Sequence, residues 1–394
     1  MLYILGRQPK LGLAELESLA GADNVRPVGD IAAIVENHPI PFRHLGGSIK
    51  AGTIIDRLPS VDWPKITKAV ETHLKTQLET LPVEGKIKLG LSLYGLDISV
   101  PKINASALSL KKVIKRAGRS VRVVPNQDSE LSSAQVLHNQ LATPLGLEIL
   151  LVRDDQSVII ALTSDVQNIT DYTIRDRERP KRDAFVGMLP PKLAQIMINL
   201  AIGQLPTNQL PITDNKVILD PFCGTGVVLQ EAALQGYNVY GSDNSVKMID
   251  YSRANLDWLR RTYDITFDDR LELGDATTHQ WQSDIDAIVS ETYLGQPMSS
   301  LPLKEKLDAI IHGCNQLHRK FFTNLAPQLQ SGTPLCIAVP AWQTAKGFLH
   351  LSMLDDLENL GYNRLDFTCA NTSDLIYYRE DQIVARELLV LTRK

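Results

Sequence analysis

Lys216-Val217-Ile218-Leu219-Asp220-Pro221-Phe222-Cys223-Gly224-Thr225-Gly226 is the stretch on which the reading of this chain turns. Val217, Ile218 and Leu219 form a short apolar run of the kind that makes a buried strand. The run ends at Asp220 and breaks into a turn with glycines at 224 and 226. A helical pattern follows at once through Val228, Leu229, Ala232 and Ala233, with Glu231 in its early turns. Strand, glycine turn, helix is the opening unit of a nucleotide-type α/β fold. Its glycines let a ligand approach the backbone, and its helix start offers unpaired N–H groups.

The details select among ligands. The spacing is not G-x-G-x-x-G, so a pyrophosphate fingerprint is absent, and no Gly-Lys-Ser/Thr follows to make a Walker loop. An acid at the strand tip repels a phosphate and welcomes a cation, and S-adenosylmethionine is a cationic ligand. A purely structural turn is the competing reading. Cys223 reads as a small turn residue, since no base is evident beside it to make it a nucleophile.

Outward from this stretch the strand–helix alternation is regular. Tyr237–Gly241 reads as a second strand ending at Asp243, an acid placed to accept from ribose hydroxyls or else to cap the helix of residues 246–259. Leu271–Ala276 is a third strand with its exit loop, where Asp275 is placed to accept from an adenine amino group. Asp286–Ser290 is a fourth, delivering Glu291-Thr292-Tyr293-Leu294-Gly295 to the carboxyl edge. A helix through Phe321 and Leu325, a strand at Pro334–Val339, a helix over Leu349–Leu360 and strands near Ile376 and at Arg386–Leu391 complete the sheet.

The front of the chain reads as α+β. Leu2–Leu5 and Ile31–Val35 are strands, and Leu11, Leu13, Leu16 and Leu19 mark an amphipathic helix with Glu15 and Glu17 outside. A helix carries Ile66, Val70, Leu74 and Leu78, and Ile87–Tyr94 is a strand. Between Asp97 and Asp128 there is no acidic residue, while Lys111, Lys112, Lys115, Arg116 and Arg119 fall along one helical face, with Arg122 just beyond. Leu108, Leu110, Val113, Ile114 and Ala117 supply the apolar side. Such a face is either plainly solvated or a grip on phosphates. Two strands at 146–151 and 158–162 follow, then a polar stretch to residue 184 that reads as a linker, and Pro190-Pro191 opens a helix.

At 394 residues, 44% hydrophobic, the chain suggests two or three domains with sizeable cores. A net charge of −4 means that any nucleic-acid contact must come from a local basic face. Four scattered cysteines with no C-x-x-C pair suggest neither a disulfide framework nor a zinc site, and no metal is expected. The first residues lack the pattern of a signal peptide and no apolar run reaches membrane-spanning length, so a soluble, cytoplasmic protein without a membrane partner is expected.

Together the motifs resemble the THUMP-domain RNA methyltransferases, in particular the family that methylates N2 of guanosine at position ten of tRNA. The likeness rests on Asp220–Gly226, Asp243, Gly274-Asp275-Ala276 and the stretch Phe185–Ala194, with weaker similarity at Tyr3–Leu19 and Asp381–Leu391. The resemblance implies an N-terminal ferredoxin-like unit (1–60), a THUMP-like RNA-binding domain (61–165), a linker (166–184) and a class I, Rossmann-like methyltransferase domain (185–394). It implies that Asp220, Phe222, Gly224, Gly226, Asp243, Asp275 and Ala276 hold S-adenosylmethionine. Lys111, Lys112, Lys115, Arg116, Arg119 and Arg122 would then face tRNA. Where the family usually shows Asp-Pro-Pro-Tyr, this chain has Glu291-Thr292-Tyr293-Leu294. Glu291 keeps an acceptor for the target amine on a side chain one methylene longer, and Tyr293 keeps an aromatic ring to stack on the base, one place early. The rivals are a ribosomal-RNA guanine-N2 or DNA adenine methyltransferase, and a catalytically silent RNA-binding protein. A monomer is expected, with a partner subunit left open.

Overall fold

The computed structural model describes residues 1–183, 189–205, 215–282, 284–296, 298 and 300–394. Of the stretch that carries part of the resemblance, residues 185–188 lie outside the described residues. The chain divides into two compact units, one of residues 1–13, 23–43 and 47–171, the other of residues 14–22, 44–46 and 172–394.

The first unit is built on β1 (Leu2–Leu5), β2 (Val25–Val28), β3 (Ala32–Val35), β4 (Ser48–Leu58), β5 (Ile87–Tyr94), β6 (Val121–Val123), β7 (Gly146–Asp154) and β8 (Ser157–Val166). They form one sheet in the order β2-β3-β1-β4-β8-β7-β5-β6. The pairs around β1, β4 and β8 are antiparallel, whereas β5 runs parallel to both β6 and β7. The boundary expected at residue 60 therefore falls inside a single sheet. Alternation along the strands explains how both faces are filled. Leu147, Ile149 and Leu151 of β7 enter a core with Ile66, Val70 and Leu74 of α2 (Trp63–Thr80) and Ile103, Ala107 and Ile114 of α3 (Val100–Arg116). Leu150 and Val152 enter a second core with Leu2, Ile4 and Ile34.

Helix α3 bears out a cationic face but not its expected extent. The buried stripe is Ile103, Ala107, Leu110 and Ile114. Lys112, Lys115 and Arg116 are exposed on the other side of the helix, and Lys111 is half-buried at the flank of the stripe. Leu108, expected among the apolar contacts, is 52% exposed, and Ala117 is exposed as well. The helix stops at Arg116 because Gly118 adopts φ +75° and its N–H closes back on the carbonyl of Lys115. Arg119 and Arg122 thus leave the helical face: Arg119 donates to the carbonyl of Pro82, and Arg122 lies on β6.

Two acids expected outside are inside. Glu15 and Glu17 of α1 (Pro9–Ala20) are buried within residues assigned to the second unit. Glu15 accepts from the backbone N–H of Gly46 (2.9 Å) and from Asn199 Nδ2 (2.7 Å), and Glu17 accepts from the backbone N–H groups of Thr368 and Cys369 at 2.6 and 2.7 Å. Amphipathic spacing cannot distinguish a solvated carboxylate from one that receives two hydrogen bonds in a core.

The stretch expected as a linker is not a bare tether. The short helix α4 (Ser133–His138) precedes β7; strand β8 continues to Val166 and is followed by α5 (Ile169–Thr173). Arg175 is buried against Glu231 at 2.8 Å, and Asp183 is buried and accepts from Lys247 at 2.6 Å. Arg175 and Asp183, in a stretch read as polar linker, thus find partners in the second unit, while Arg177 and Glu178 are exposed.

That unit carries α6 (Pro191–Ile202), β9 (Val217–Asp220), α7 (Val227–Leu234), β10 (Asn238–Asp243), α8 (Val246–Tyr263), β11 (Asp269–Leu273), β12 (Ala287–Glu291), α9 (Lys304–Leu325), β13 (Pro334–Thr344), β14 (Gly347–Leu349), β15 (Tyr362–Arg364), β16 (Ile376–Tyr377) and β17 (Val384–Arg393). The sheet order is β11-β10-β9-β12-β13-β17-β15, with β14 beside β13 and β16 beside β17. The first five are parallel and β17 enters antiparallel. The strand order reverses between β9 and β12, and the crevice at the carboxyl ends of those strands is where open α/β sheets bind ligands. The helix expected over 349–360 is instead β14 followed by a short 3₁₀ turn at Ser352–Asp356. Leu351, Met353 and Leu357 reach the core from that turn, and Gly361 ends the segment at φ +94°.

Candidate active site at the carboxyl edge of the second sheet

Asp220 ends β9 at the switch point, and it is 2% exposed. Its Oδ1 accepts from Ser290 Oγ at 2.6 Å, joining β9 to β12, and from the Phe222 N–H at 3.2 Å. Burial pushes the Asp220 carboxyl up to about 7; the two hydrogen bonds oppose the shift, and the nearby charges of Asp243 and Glu291 add to it. A carboxylate in that position is stabilised by any cation set beside it.

The glycine turn is held on several sides. Asp243, at the end of β10, accepts from the Gly224 N–H (3.0 Å) through Oδ2 and from the Ser245 N–H (2.9 Å) through Oδ1. Ser252 of α8 donates to the Gly224 carbonyl at 2.8 Å, and Asn255 to the Thr225 carbonyl at 2.8 Å. Gly226 stands at the start of α7 with φ +81°, and a Cβ there would meet Ser252 Oγ at 2.9 Å. Only glycine satisfies both demands. Among the described residues no side-chain hydrogen bond caps α7. Asp243 therefore braces the turn and the chain entering α8, which is the structural one of the two roles that the sequence left open. Burial raises its carboxyl too.

Phe222 sets its ring edge-on to Phe321 of α9, with centroids 5.0 Å apart. Asp275 is exposed; one oxygen is taken by the Thr277 N–H and hydroxyl at 2.9 and 2.8 Å. Ala276 packs into the core and its carbonyl accepts from Asn324 Nδ2 at 3.0 Å, so it forms wall rather than polar contact. Cys223 is buried, and burial together with Asp220 and Asp243 raises its thiol well above the usual range, the state of a turn residue and not of a nucleophile.

At the end of β12, Glu291 is 15% exposed and forms an ion pair with Nε of Arg386, itself 9% exposed, on β17. Thr292 is buried: its N–H donates to the Ala338 carbonyl (3.0 Å), and its hydroxyl lies 2.7 Å from Nε2 of buried His318. Nδ1 of His318 lies 2.7 Å from the Cys314 carbonyl, which can only accept, so Nδ1 carries the proton. Burial lowers His318 to about 4, leaving it neutral at pH 7. Tyr293, next along, is 46% exposed.

The structure thus brings Asp220, Phe222, Gly224, Gly226, Asp243 and Glu291 to one edge. Sequence reasoning missed Ser290, Arg386 and His318. The signals were present for two of them: a serine closing the apolar run Asp286–Ser290, and a charge inside the apolar strand Val384–Arg393. His318 had none, because its partner Thr292 is 26 residues away.

Residues 179–361 match the family profile described as RMKL-like, methyltransferase domain (UPF0020). A curated tRNA (guanine(10)-N2)-dimethyltransferase of Methanothermobacter thermautotrophicus is 32% identical over 167 residues, which span 42% of this chain and 43% of that protein. A protein of the same name from Methanocaldococcus jannaschii is 35% identical over 107 residues, 25% of this chain and 27% of its own length. The chain therefore aligns to less than half the length of these curated relatives. Among solved structures, the crystal structure of TrmN from Thermus thermophilus superposes with a TM-score of 0.52 at 16% identity, covering 100% of this chain and 99% of that one, a likeness of fold. Profile and sheet order agree: residues 179–361 of this chain are similar to the RMKL-like methyltransferase domain (UPF0020).

Proposed function

We propose that the chain is an S-adenosylmethionine-dependent tRNA methyltransferase acting on the exocyclic N2 amine of a guanosine. The observation that carries the reading is Asp220, a buried acid raised to about 7 beside an uncapped helix start and a glycine turn. A sulfonium next to it offsets the cost of its charge, and the second lone pairs on Asp243 suit ribose hydroxyls. The donor, when bound, supplies the electrophilic methyl. Asp275, with one oxygen still without a described partner, suits the adenine amino group, and Phe222 and Ala276 would flank the bound donor.

The amine is a poor nucleophile because its lone pair is delocalised into the base. Glu291 accepts one N–H, favouring the geometry in which the lone pair faces the methyl. A bound donor would give up its methyl with its sulfur keeping the bonding pair, and Glu291 or water would take the proton shed by nitrogen. Tyr293, exposed beside Glu291, stacks on the target base. No covalent enzyme intermediate is needed. The tRNA assignment draws on the relatives' names and on the acid-free segment 98–127. Residues 1–60 and 61–165 are taken as the ferredoxin-like and THUMP-like parts of an RNA-holding module whose cationic side is α3, working in the cytoplasm.

The test is incubation with unmodified bulk tRNA and donor, followed by nucleoside mass spectrometry. N2-methylated guanosine is the expected product. Product only on ribosomal RNA or as N6-methyladenine in DNA would move the substrate, and failure to bind the donor in calorimetry would favour a silent RNA-binding protein.

A further inference from the structure

We propose that Arg386 is a positioning residue for the methyl-accepting amine: it holds one oxygen of Glu291 so that the other becomes a fixed acceptor for the substrate N–H. The assignment rests on Glu291 being that acceptor. Register brings the two side chains together. Glu291 on β12 lies opposite Ala338 on β13, Ala338 lies opposite Leu388 on β17, and Arg386 is two residues from Leu388. Side chains two apart share a sheet face, so Arg386 and Glu291 emerge on the same one. Arg386 Nε donates to Glu291 Oε1, and Oε2 has no described protein partner. The Tyr377 ring, cross-strand from Arg386, flanks its guanidinium with the centroid 6.0 Å away. The neighbouring acid cannot compete for the guanidinium, because Glu387 is already engaged by His350 at 2.6 Å and Arg364 at 2.9 Å.

The chemistry gives this pair a task. A glutamate has one more rotatable bond than an aspartate, and the loop Glu291-Thr292-Tyr293-Leu294 has no proline to stiffen it. Transfer to an amine demands placement at the level of ~1 Å. The guanidinium Nε–H on one oxygen removes the added freedom and leaves the other oxygen directed. It also offsets the repulsion between Glu291 and the buried Asp220, whose carboxyl feels Glu291 directly.

The experiment compares Arg386→Met and Arg386→Lys in the full chain, with donor affinity read by calorimetry and turnover on tRNA under saturation. Arg386→Met is expected to lose about 10²-fold in kcat, with donor Kd and tRNA KM within about twofold of the parent. Arg386→Lys, which keeps the charge but not the planar guanidinium with its Nε–H, recovers part of the loss. In a Glu291→Asp background the Arg386→Met change costs little, because the shorter acid no longer reaches both partners. Parental kcat in both arginine variants overturns the proposal, as does a rise in kcat, which would make the pair a lock on Glu291. Full turnover in Glu291→Gln would instead show that the acceptor was misassigned, and would remove the basis for both.

Discussion

The roles proposed for Asp220 and Glu291 have local consequences that can be read one residue at a time. Asp220 is raised from 3.8 to about 7, so the folded protein without donor carries a proton there up to neutral pH. A group raised in the folded state adds stability below its unfolded value and loses it as pH rises towards 7. Binding of a cation draws the carboxyl back down, so donor binding at pH 7 is expected to release a substantial fraction of a proton. Calorimetry in buffers of different ionisation enthalpy reads this directly; the release should vanish in Asp220→Asn, and a buffer-independent heat in the parent would refute it. Glu291 bears on the acceptor instead. Glu291→Ala is expected to abolish methyl transfer while donor binding survives, and turnover equal to the parent would remove Glu291 from the reaction.

At the scale of elements, the segment leaving β12 is held from beneath by α9. His318 receives the Thr292 hydroxyl and donates to its own helix, so the residue after Glu291 is clamped to a buried neutral ring. The ring falls from 6.5 to about 4 on burial. A group lowered in this way has its stabilisation intact above 6.5 and loses it as pH falls towards 4, by at most about 3 kcal/mol. This is opposite in sign to Asp220 over an overlapping window, so a bare pH–stability curve mixes the two. The comparison that separates them is urea unfolding at pH 7 and pH 4.5 for the parent and His318→Gln. The parent is expected to lose more on acidification than the variant; equal losses would place the acid sensitivity elsewhere.

For the whole molecule, a net charge of −4 says nothing of affinity for RNA, because charge acts where it is concentrated. Lys112, Lys115 and Arg116 stand exposed opposite the buried stripe of α3. If they neutralise phosphates, replacing all three with alanine should reduce the slope of log K against log salt by about 2 to 3. It should also raise tRNA KM, with donor binding untouched. Filter binding across a salt series measures the slope, and an unchanged slope would make the face merely solvated. No helix among the described residues is long and apolar enough to cross a membrane.

Much of the site was written into the chain itself, because it depends on local order. A strand, an acid, two glycines and a helix must follow one another in sequence to make the turn at 220–226, and the acids at strand ends are spaced by the strand–helix units that carry them. The sheet reversal between β9 and β12, the burial that raises Asp220, and the ion pair from β17 to Glu291 were decided only in three dimensions. Each depends on which distant segments pack together: Ser290 is 70 residues from Asp220, and Arg386 is 95 from Glu291. The same reason accounts for Glu15 and Glu17, read as solvated acids but satisfied in the core by residues far along the chain. Local pattern sets which groups reach an edge or a helix face, while tertiary packing sets their partners and their charge.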